Sequence, residues 1–423
     1  MYPKIQNKAF LVDSSAKLAE YLKEPREYIP FGNGRSYGDS ALAENILNIK
    51  PYDYFLHFDA EAGILHAQAG VLLSDILEAF VPQGWFLKVT PGTKLITLGG
   101  AIASDVHGKN HHVQGCFSEC VEEFTLMTAN GETKTVTRDS ELFLATCGGM
   151  GLTGVILDAK ISLKKINSTT IKQTTIKTKN LQETFAAFEE YEHMPYSVAW
   201  IDCLAQGEAI GKCLLMVGDF ADNGKLDYKQ KPKKNIPFNF PSFALNKLSV
   251  KAFNWLYYNK APAGVSKQNV DIDTFFYPLD AIQNWNRIYG KSGFTQYQFI
   301  LPKERSYEGL KAILEKIAAS GKGSFLAVLK LYGKANANYL SFPIEGYSLA
   351  LDFKIESGLF ELLDALDAIV VEFGGRIYLT KDVRVSKETF ESGYEHIEKF
   401  RTLRKREKMD TKFQSLQSKR VEI

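Results

Sequence analysis

The eleven residues Pro30-Phe31-Gly32-Asn33-Gly34-Arg35-Ser36-Tyr37-Gly38-Asp39-Ser40 hold three glycines within seven positions. Without a Cβ at those points, backbone N–H groups can approach an oxyanion closely, and Arg35 and Ser36 add side-chain donors, so a pyrophosphate could sit there. The spacing matches neither the dinucleotide fingerprint G-x-G-x-x-G nor a P-loop with its lysine, so taken alone an ordinary glycine turn explains it as well. A second stretch runs from Thr90-Pro91-Gly92-Thr93 through Thr97-Leu98-Gly99-Gly100-Ala101-Ile102-Ala103-Ser104-Asp105-Val106-His107-Gly108-Lys109-Asn110-His111-His112. Side chains this small pack a core poorly and suit the lining of a site that something else fills. The third, Cys147-Gly148-Gly149-Met150-Gly151-Leu152-Thr153-Gly154-Val155-Ile156, puts glycines directly before a β-branched run. Three such clusters together imply one large, extended, phosphate-containing ligand. His107, His111 and His112 near Cys116 and Cys120 raise a zinc site as an alternative, but their spacing fits no common structural finger.

Regular elements must hold these loops. Tyr54 to Phe58 and Ile64 to Ala69 read as strands, Leu72 to Phe80 as an amphipathic helix, and Phe124 to Thr128 with Thr133 to Thr137 as a hairpin around Asn130-Gly131. From about Lys165 to Gly375 the pattern changes, with strands expected at Ile171 to Ile176, Ser197 to Asp202 and Cys213 to Val217 and a helix over Leu181 to Tyr191. Leu359, Leu362, Leu363, Leu366, Ile369, Val370 and Phe373 recur at helical spacing, and Gly374-Gly375 can end that helix in the left-handed conformation. The tail from Tyr394, with Arg401, Arg404, Lys405 and Arg406, reads as a helix with a solvated charged face. Asn223 to Asn246 is rich in Lys, Pro and Asn, with Lys229, Lys231, Lys233 and Lys234 clustered, and is followed by Val250 to Tyr258 with Phe253, Trp255 and Leu256. This is either a solvated loop before a surface helix or a lid that meets an anionic or lipid-linked substrate, with possible peripheral membrane contact through 225–258.

Bulk properties narrow the class. A chain of 423 residues with 45% hydrophobic and 24% charged residues suits two globular domains rather than disorder. Lys and Arg number 51 against 49 Asp and Glu, so no whole-molecule field favours nucleic acid. Five cysteines fit a reducing compartment better than a disulfide framework. The N-terminal stretch lacks a signal-peptide core and no apolar run reaches the ~18 residues of a membrane span, so the expected location is cytoplasmic, either free or peripheral to the inner membrane.

Taken in order, GRSYGD, PGT, GGAIASDVHGKNHH, GGMGLTGVIL, TQYQF, SFLAVLKLYG, SLALDF and GGRIYLTKD resemble segments of the vanillyl-alcohol oxidase and p-cresol methylhydroxylase superfamily of flavoenzymes, most closely its decaprenylphosphoryl-β-D-ribose 2-oxidases. The resemblance spans most of the chain. It implies an α+β, two-domain flavoenzyme: an FAD-binding domain of the p-cresol methylhydroxylase type over 1–165, a substrate domain with a large antiparallel sheet over 166–375, and a segment 376–423 that returns to complete the first. It implies further that Pro30 to Ser40 hold the FAD pyrophosphate, that Gly92, Thr97, Leu98, Gly99, Gly100, Ser104, Asp105, Val106 and His107 make further flavin contacts, that Val155 and Ile156 meet the adenine side, and that Tyr378 approaches the flavin. Relatives with covalent FAD have histidine just after the first G-x-G. Arg35 stands there, which implies releasable, non-covalent FAD.

The activity so implied is oxidation of a secondary hydroxyl on a sugar or polyprenyl-phosphoryl sugar by hydride transfer to flavin N5. The resemblance further implies one half of a cell-wall-precursor epimerisation whose other half is an NAD(P)H-dependent keto-reductase. Lys381 would lie beside the reacting hydroxyl, as base or orienting group, with Lys330, Gln296, Gln298 and Asp352 around the sugar phosphate and His107 nearby. Two positions depart from the family: Ser348 stands where asparagine is common and Ala350 where a cysteine captured by nitroaromatic inhibitors is common. Competing readings are a stand-alone alditol, aldonolactone or hydroxy-acid oxidase and, from another class, a zinc hydrolase or a nucleotide-binding protein without catalysis.

Overall fold

The computed structural model describes residues 2–229, 233–241 and 243–423; Lys231 of the lysine cluster lies outside them. Near the N-terminus the strands Lys8–Leu11, Asn45–Asn48 and Ile29–Phe31 form a small parallel sheet, so Ile29–Phe31 delivers the first glycine loop from a fixed edge. A second sheet runs in the order Phe55–Asp59, Ile64–Gln68, Val155–Lys165, Val121–Met127, Thr133–Thr137, with Trp85–Leu87 also paired to Val155–Lys165. Glycine 131 takes φ of 81° in the hairpin connection, a value an L side chain resists, as the Asn130-Gly131 pair suggested.

The largest sheet has eight strands, each antiparallel to its neighbours, in the order Val265–Asp271, Thr170–Thr178, Cys213–Phe220, Tyr196–Ile201, Ala327–Tyr332, Gly346–Lys354, Phe294–Pro302, Arg376–Ile377. Helices Leu181–Glu190, Ser306–Ser320 and Leu359–Glu372 cover one face. Phe188, Ile313, Ile317, Leu366 and Val370 pack there against Leu215, Leu329, Leu349, Leu351 and Phe299. Because side chains alternate along a strand, the residues between these core positions point to the opposite face. Gln296, Gln298, Lys330, Ser348, Ala350 and Asp352 therefore share one face. The register sets Gln296 opposite Asp352, Gln298 and Val328 opposite Ala350, and Lys330 opposite Ser348.

The C-terminal segment runs back to the N-terminal region. Tyr28 N–H donates to Lys412 O, Gln414 N–H to Tyr28 O and Leu416 N–H to Leu42 O. One expectation needs correction here. The helix Ile397–Arg406 forms, but Arg404 is not on its solvated face: it is 1% exposed, with Nε donating to Leu152 O and Nη2 to Phe413 O. It lies on the side of the helix that carries Ile397, Phe400 and Leu403, and carbonyl oxygens from two other segments replace its water. All five cysteines are buried and unpaired. Among the described residues no helix is long and apolar enough to cross a membrane.

Candidate active site

A cleft of about 780 Å³ opens between the glycine loops and the free face of the eight-stranded sheet, a volume in the range of cofactor and substrate pockets. Pro30, Phe31, Gly32, Asn33, Gly34, Arg35, Ser36, Tyr37 and Ser40 line it from one side. Gly92, Thr97, Gly99, Gly100, Ser104, Val106, His107, Ile156 and Tyr378 add to the wall, and Gln296, Gln298, Lys330 and Lys381 come from the other. The candidates named from sequence thus converge, with six exceptions.

Leu98 and Val155 are fully buried core residues. Gly38 and Asp39 sit one layer back, zipped to the Lys381 loop: Gly38 N–H donates to Thr380 O, Asp39 N–H to Asp382 O, and Arg420 Nη2 bridges both carboxylates at 2.8 and 2.9 Å. Asp105 has φ of 38° and faces away, accepting from Ser118 N–H, Asn336, Asn338 and Ser341. It anchors the loop that presents Ser104, Val106 and His107. Asp352, 1% exposed, lies just behind the wall and accepts from Gln296 Nε2 at 2.5 Å.

The three histidines have separate hydrogen-bond partners, although His107 and His111 both pack on the Tyr332 ring and His111 Nε2 lies 3.4 Å from Cys116 Sγ. His107 approaches Gln298 at 3.4 Å, His111 Nδ1 accepts from Gly333 N–H, and His112 Nε2 meets Met194 O at 2.8 Å. Among the described residues no three metal-ligating side chains are clustered.

Electrostatics concentrate at the sheet end of the cleft. Lys330 and Lys381 are half-buried, facing the cleft rather than bulk solvent, and burial pulls each ammonium down to about 8; for Lys381 the Asp352 carboxylate opposes and Lys330 reinforces that fall. Burial raises Asp352 to about 7, against the Gln296 hydrogen bond and the Lys381 charge. His107 is held well below the usual histidine range by burial and then by Lys330, so its imidazole is neutral. The Lys381 ammonium lies 4.0 Å over the Tyr37 ring, so the first glycine loop also seats the lysine.

The cleft fits an FAD. The Cβ position of Gly92 meets nothing within 4 Å and faces open space, whereas a Cβ at Gly32 would strike Thr97 Oγ1 at 2.3 Å and one at Gly34 the Phe31 ring at 2.8 Å. Buried His107 Nδ1, in the cleft wall, has no hydrogen-bond partner among the described residues, which suits a polar ligand there.

Comparison with known proteins agrees with this geometry. The FAD binding domain family matches residues 10–137. Decaprenylphosphoryl-β-D-ribose oxidase of Mycolicibacterium smegmatis is 37% identical over 415 residues, covering 94% of this chain and 90% of that one. The chain belongs to this family of FAD-dependent oxidoreductases. A Streptomyces coelicolor protein known as the uncharacterized protein in the mprA 5′ region is 28% identical over 79% of this chain and 95% of its own. L-gulonolactone oxidase of Scyliorhinus torazame is 35% identical over 31% of this chain and 30% of its own. The shorter match falls short of the full chain, whereas the oxidase match runs through the sheet that carries Lys330 and Asp352.

Several residues of the oxidoreductase's cleft were not singled out from sequence. Lys109 lines it, donates to Phe275 O, and is pulled by burial down to about 7, with Lys330 adding to the shift. Its place two residues after His107 was the available signal. Val198, Trp200, Met216, Leu326 and Val328 form an apolar wall, and Tyr257, with its ring 4.9 Å from that of Trp200, and Lys260 also line the cleft. No local motif marks these, because they meet only through sheet register.

Proposed function

We propose that this oxidoreductase acts on a polyprenyl-phosphoryl pentose and oxidises a secondary hydroxyl of its sugar ring. The observation that carries this reading is a cleft with two chemistries: Lys109, Lys330 and Lys381 converge at one part, and an apolar wall of Val198, Trp200, Met216, Leu326 and Val328 continues from it. Two partly desolvated cations, Lys109 and Lys330, favour an anion such as a phosphodiester beside the Lys381 amine, and the wall favours the first isoprene units. A free alditol or lactone uses neither.

When bound, FAD supplies the two-electron acceptor for the hydrogen leaving the carbinol carbon. The protein's part is to orient and to move a proton. Gln296 and Gln298, held by sheet register, can fix ring hydroxyls, and neutral Lys381 accepts the hydroxyl proton beside Asp352. The ketone product is what an NAD(P)H-dependent keto-reductase would return to an alcohol of opposite configuration, so this chain would serve as the oxidising half of an epimerisation.

Residues 1–165 and 376–423 act in this reading as one FAD-binding unit around 166–375, supported by the Tyr28–Lys412, Leu42–Leu416 and Asp39–Arg420 hydrogen bonds. Arg35 lines the cleft where a covalent tether would start, and a guanidinium does not form one, so FAD is held without a bond. Precipitation in acid is expected to leave all yellow colour in the supernatant; colour retained on the polypeptide would refute this. The substrate is tested by anaerobic mixing with polyprenyl-phosphoryl pentoses, free alditols and lactones. Rapid flavin bleaching is expected with the first class only, and bleaching by the others alone would overturn the assignment.

A further inference from the structure

We infer that the helix Lys247–Lys260, with the flanking segment 233–241 and Phe243, is a docking surface for an anionic phospholipid bilayer, mounted so that the active-site cleft opens beside the membrane. This rests on the lipid-linked substrate proposed above and names the surface from which that substrate would be taken. The charge pattern points to it first. Between Tyr228 and Val270 the sequence has eight lysines and not one Asp, Glu or Arg, while the whole chain carries only +2. The remaining residues are therefore net acidic and the basic charge is concentrated here, complementary to anionic headgroups.

Apolar exposure coincides with that charge. Leu248 and Trp255 are two turns apart on one helix face and 77% and 61% exposed; Leu256 beside them and Phe243 before the helix are also exposed. The helix is fixed from its opposite side by buried Val250 and by Asn254, whose amide donates to Asp202 Oδ1 at 2.7 Å. Tyr258 OH donates to Thr178 O at 2.8 Å. These ties hold the outer face outward. A helix whose apolar anchors Leu248 and Trp255 stand beside Lys247 and Lys251 has the composition that settles at a headgroup boundary.

Continuity with the cleft selects a bilayer over other partners. Tyr257 and Lys260 of this same helix line the cavity that holds Lys330 and Lys381, and the Tyr257 ring lies 4.9 Å from that of Trp200 in the apolar wall. A lipid whose phosphate reaches Lys330 can leave its chain along the apolar wall, pass Tyr257, and remain in the membrane that Leu248 and Trp255 touch.

The test uses the FAD-loaded enzyme and sedimentation with vesicles of phosphatidylcholine alone or of phosphatidylcholine and phosphatidylglycerol at roughly 7:3. Binding is expected to the mixed vesicles and to be weak with the neutral ones. The double variant Leu248→Ser/Trp255→Ser should lower binding by about tenfold or more, and Lys247→Glu/Lys251→Glu should do the same. Both should keep the flavin spectrum and turnover of a short-chain, water-soluble substrate analogue. Equal sedimentation of wild type and both variants would overturn the surface. So would an ultracentrifugal dimer that Leu248→Ser/Trp255→Ser dissociates, because a second copy would then cover the face. Turnover of the lipid-linked sugar in detergent micelles separates the two levels. Turnover there without vesicle binding overturns the docking surface alone, whereas vesicle binding without turnover supports the surface and overturns the substrate.

Discussion

Lys381→Ala is expected to leave the bound-flavin spectrum intact and to slow flavin reduction by substrate by about 10³-fold, the scale of a lost, well-placed proton acceptor. The side chain is suited to that role because burial has already brought its ammonium down to about 8, with Lys330 pushing the same way and Asp352 resisting. The sign of the pH dependence follows. The neutral amine is the active form, so reduction in the wild type should rise about tenfold from pH 7 to a plateau above 8, roughly one decade per pH unit. Asp352→Asn removes the charge that holds the proton on Lys381, so the midpoint should move to lower pH. Rapid-reaction absorbance under anaerobic conditions measures both. A Lys381→Ala enzyme that is slow but keeps the same pH midpoint would make Lys381 an orienting group only.

Legibility in the sequence followed the range of the interactions. The glycine loops were readable because small residues in runs have a local cause, and Gly34, Gly99 and Gly100 do border the cleft. The helix Leu359–Glu372 and its end at Gly374, φ of 70°, follow from a 3.6-residue period and one turn residue. Lys330, Gln298 and Asp352 carry no local signal that separates them from ordinary strand residues, and only the resemblance named them. What unites them is register across the strands Phe294–Pro302, Ala327–Tyr332 and Gly346–Lys354, and register is a property of pairing rather than of any one segment. Arg404 departs from the sequence pattern for a related cause. Its helix is polar enough to suggest a solvated face, and the carbonyls of Leu152 and Phe413 that receive it are distant or around a bend in sequence. Lys109 carries no signal of its own in a stretch with three histidines, although its burial makes it an unusual cation.

Gly38→Ala should damage FAD binding and Lys381 function together, although neither Gly38 nor its neighbour Asp39 lines the cleft. A Cβ at residue 38 would stand 2.1 Å from the Asp382 carbonyl oxygen and 3.1 Å from the Asp382 N and C atoms. These are backbone atoms with no rotamer to yield, so the first glycine loop and the Lys381 loop must separate by about 1 Å, at a cost of about 1–3 kcal/mol. That parting stretches the hydrogen bonds from Tyr37, Gly38 and Asp39 to Thr380 and Asp382, and pulls Arg420 from one of its two carboxylates. A reacting group misplaced by about 1 Å costs about 10²-fold in rate. The variant is therefore expected to lose about 10²-fold in flavin reduction and, in the same preparation, to bind FAD at least tenfold more weakly. Gly92→Ala gives the contrast. Its Cβ meets no protein atom within 4 Å, so it should fold normally and disturb only a ligand in the cleft. Titration of the apoproteins with FAD by fluorescence quenching, paired with single-turnover reduction, reads both effects. Wild-type values of both quantities in Gly38→Ala would mean that the two loops move independently and that the Arg420 clamp does not position Lys381.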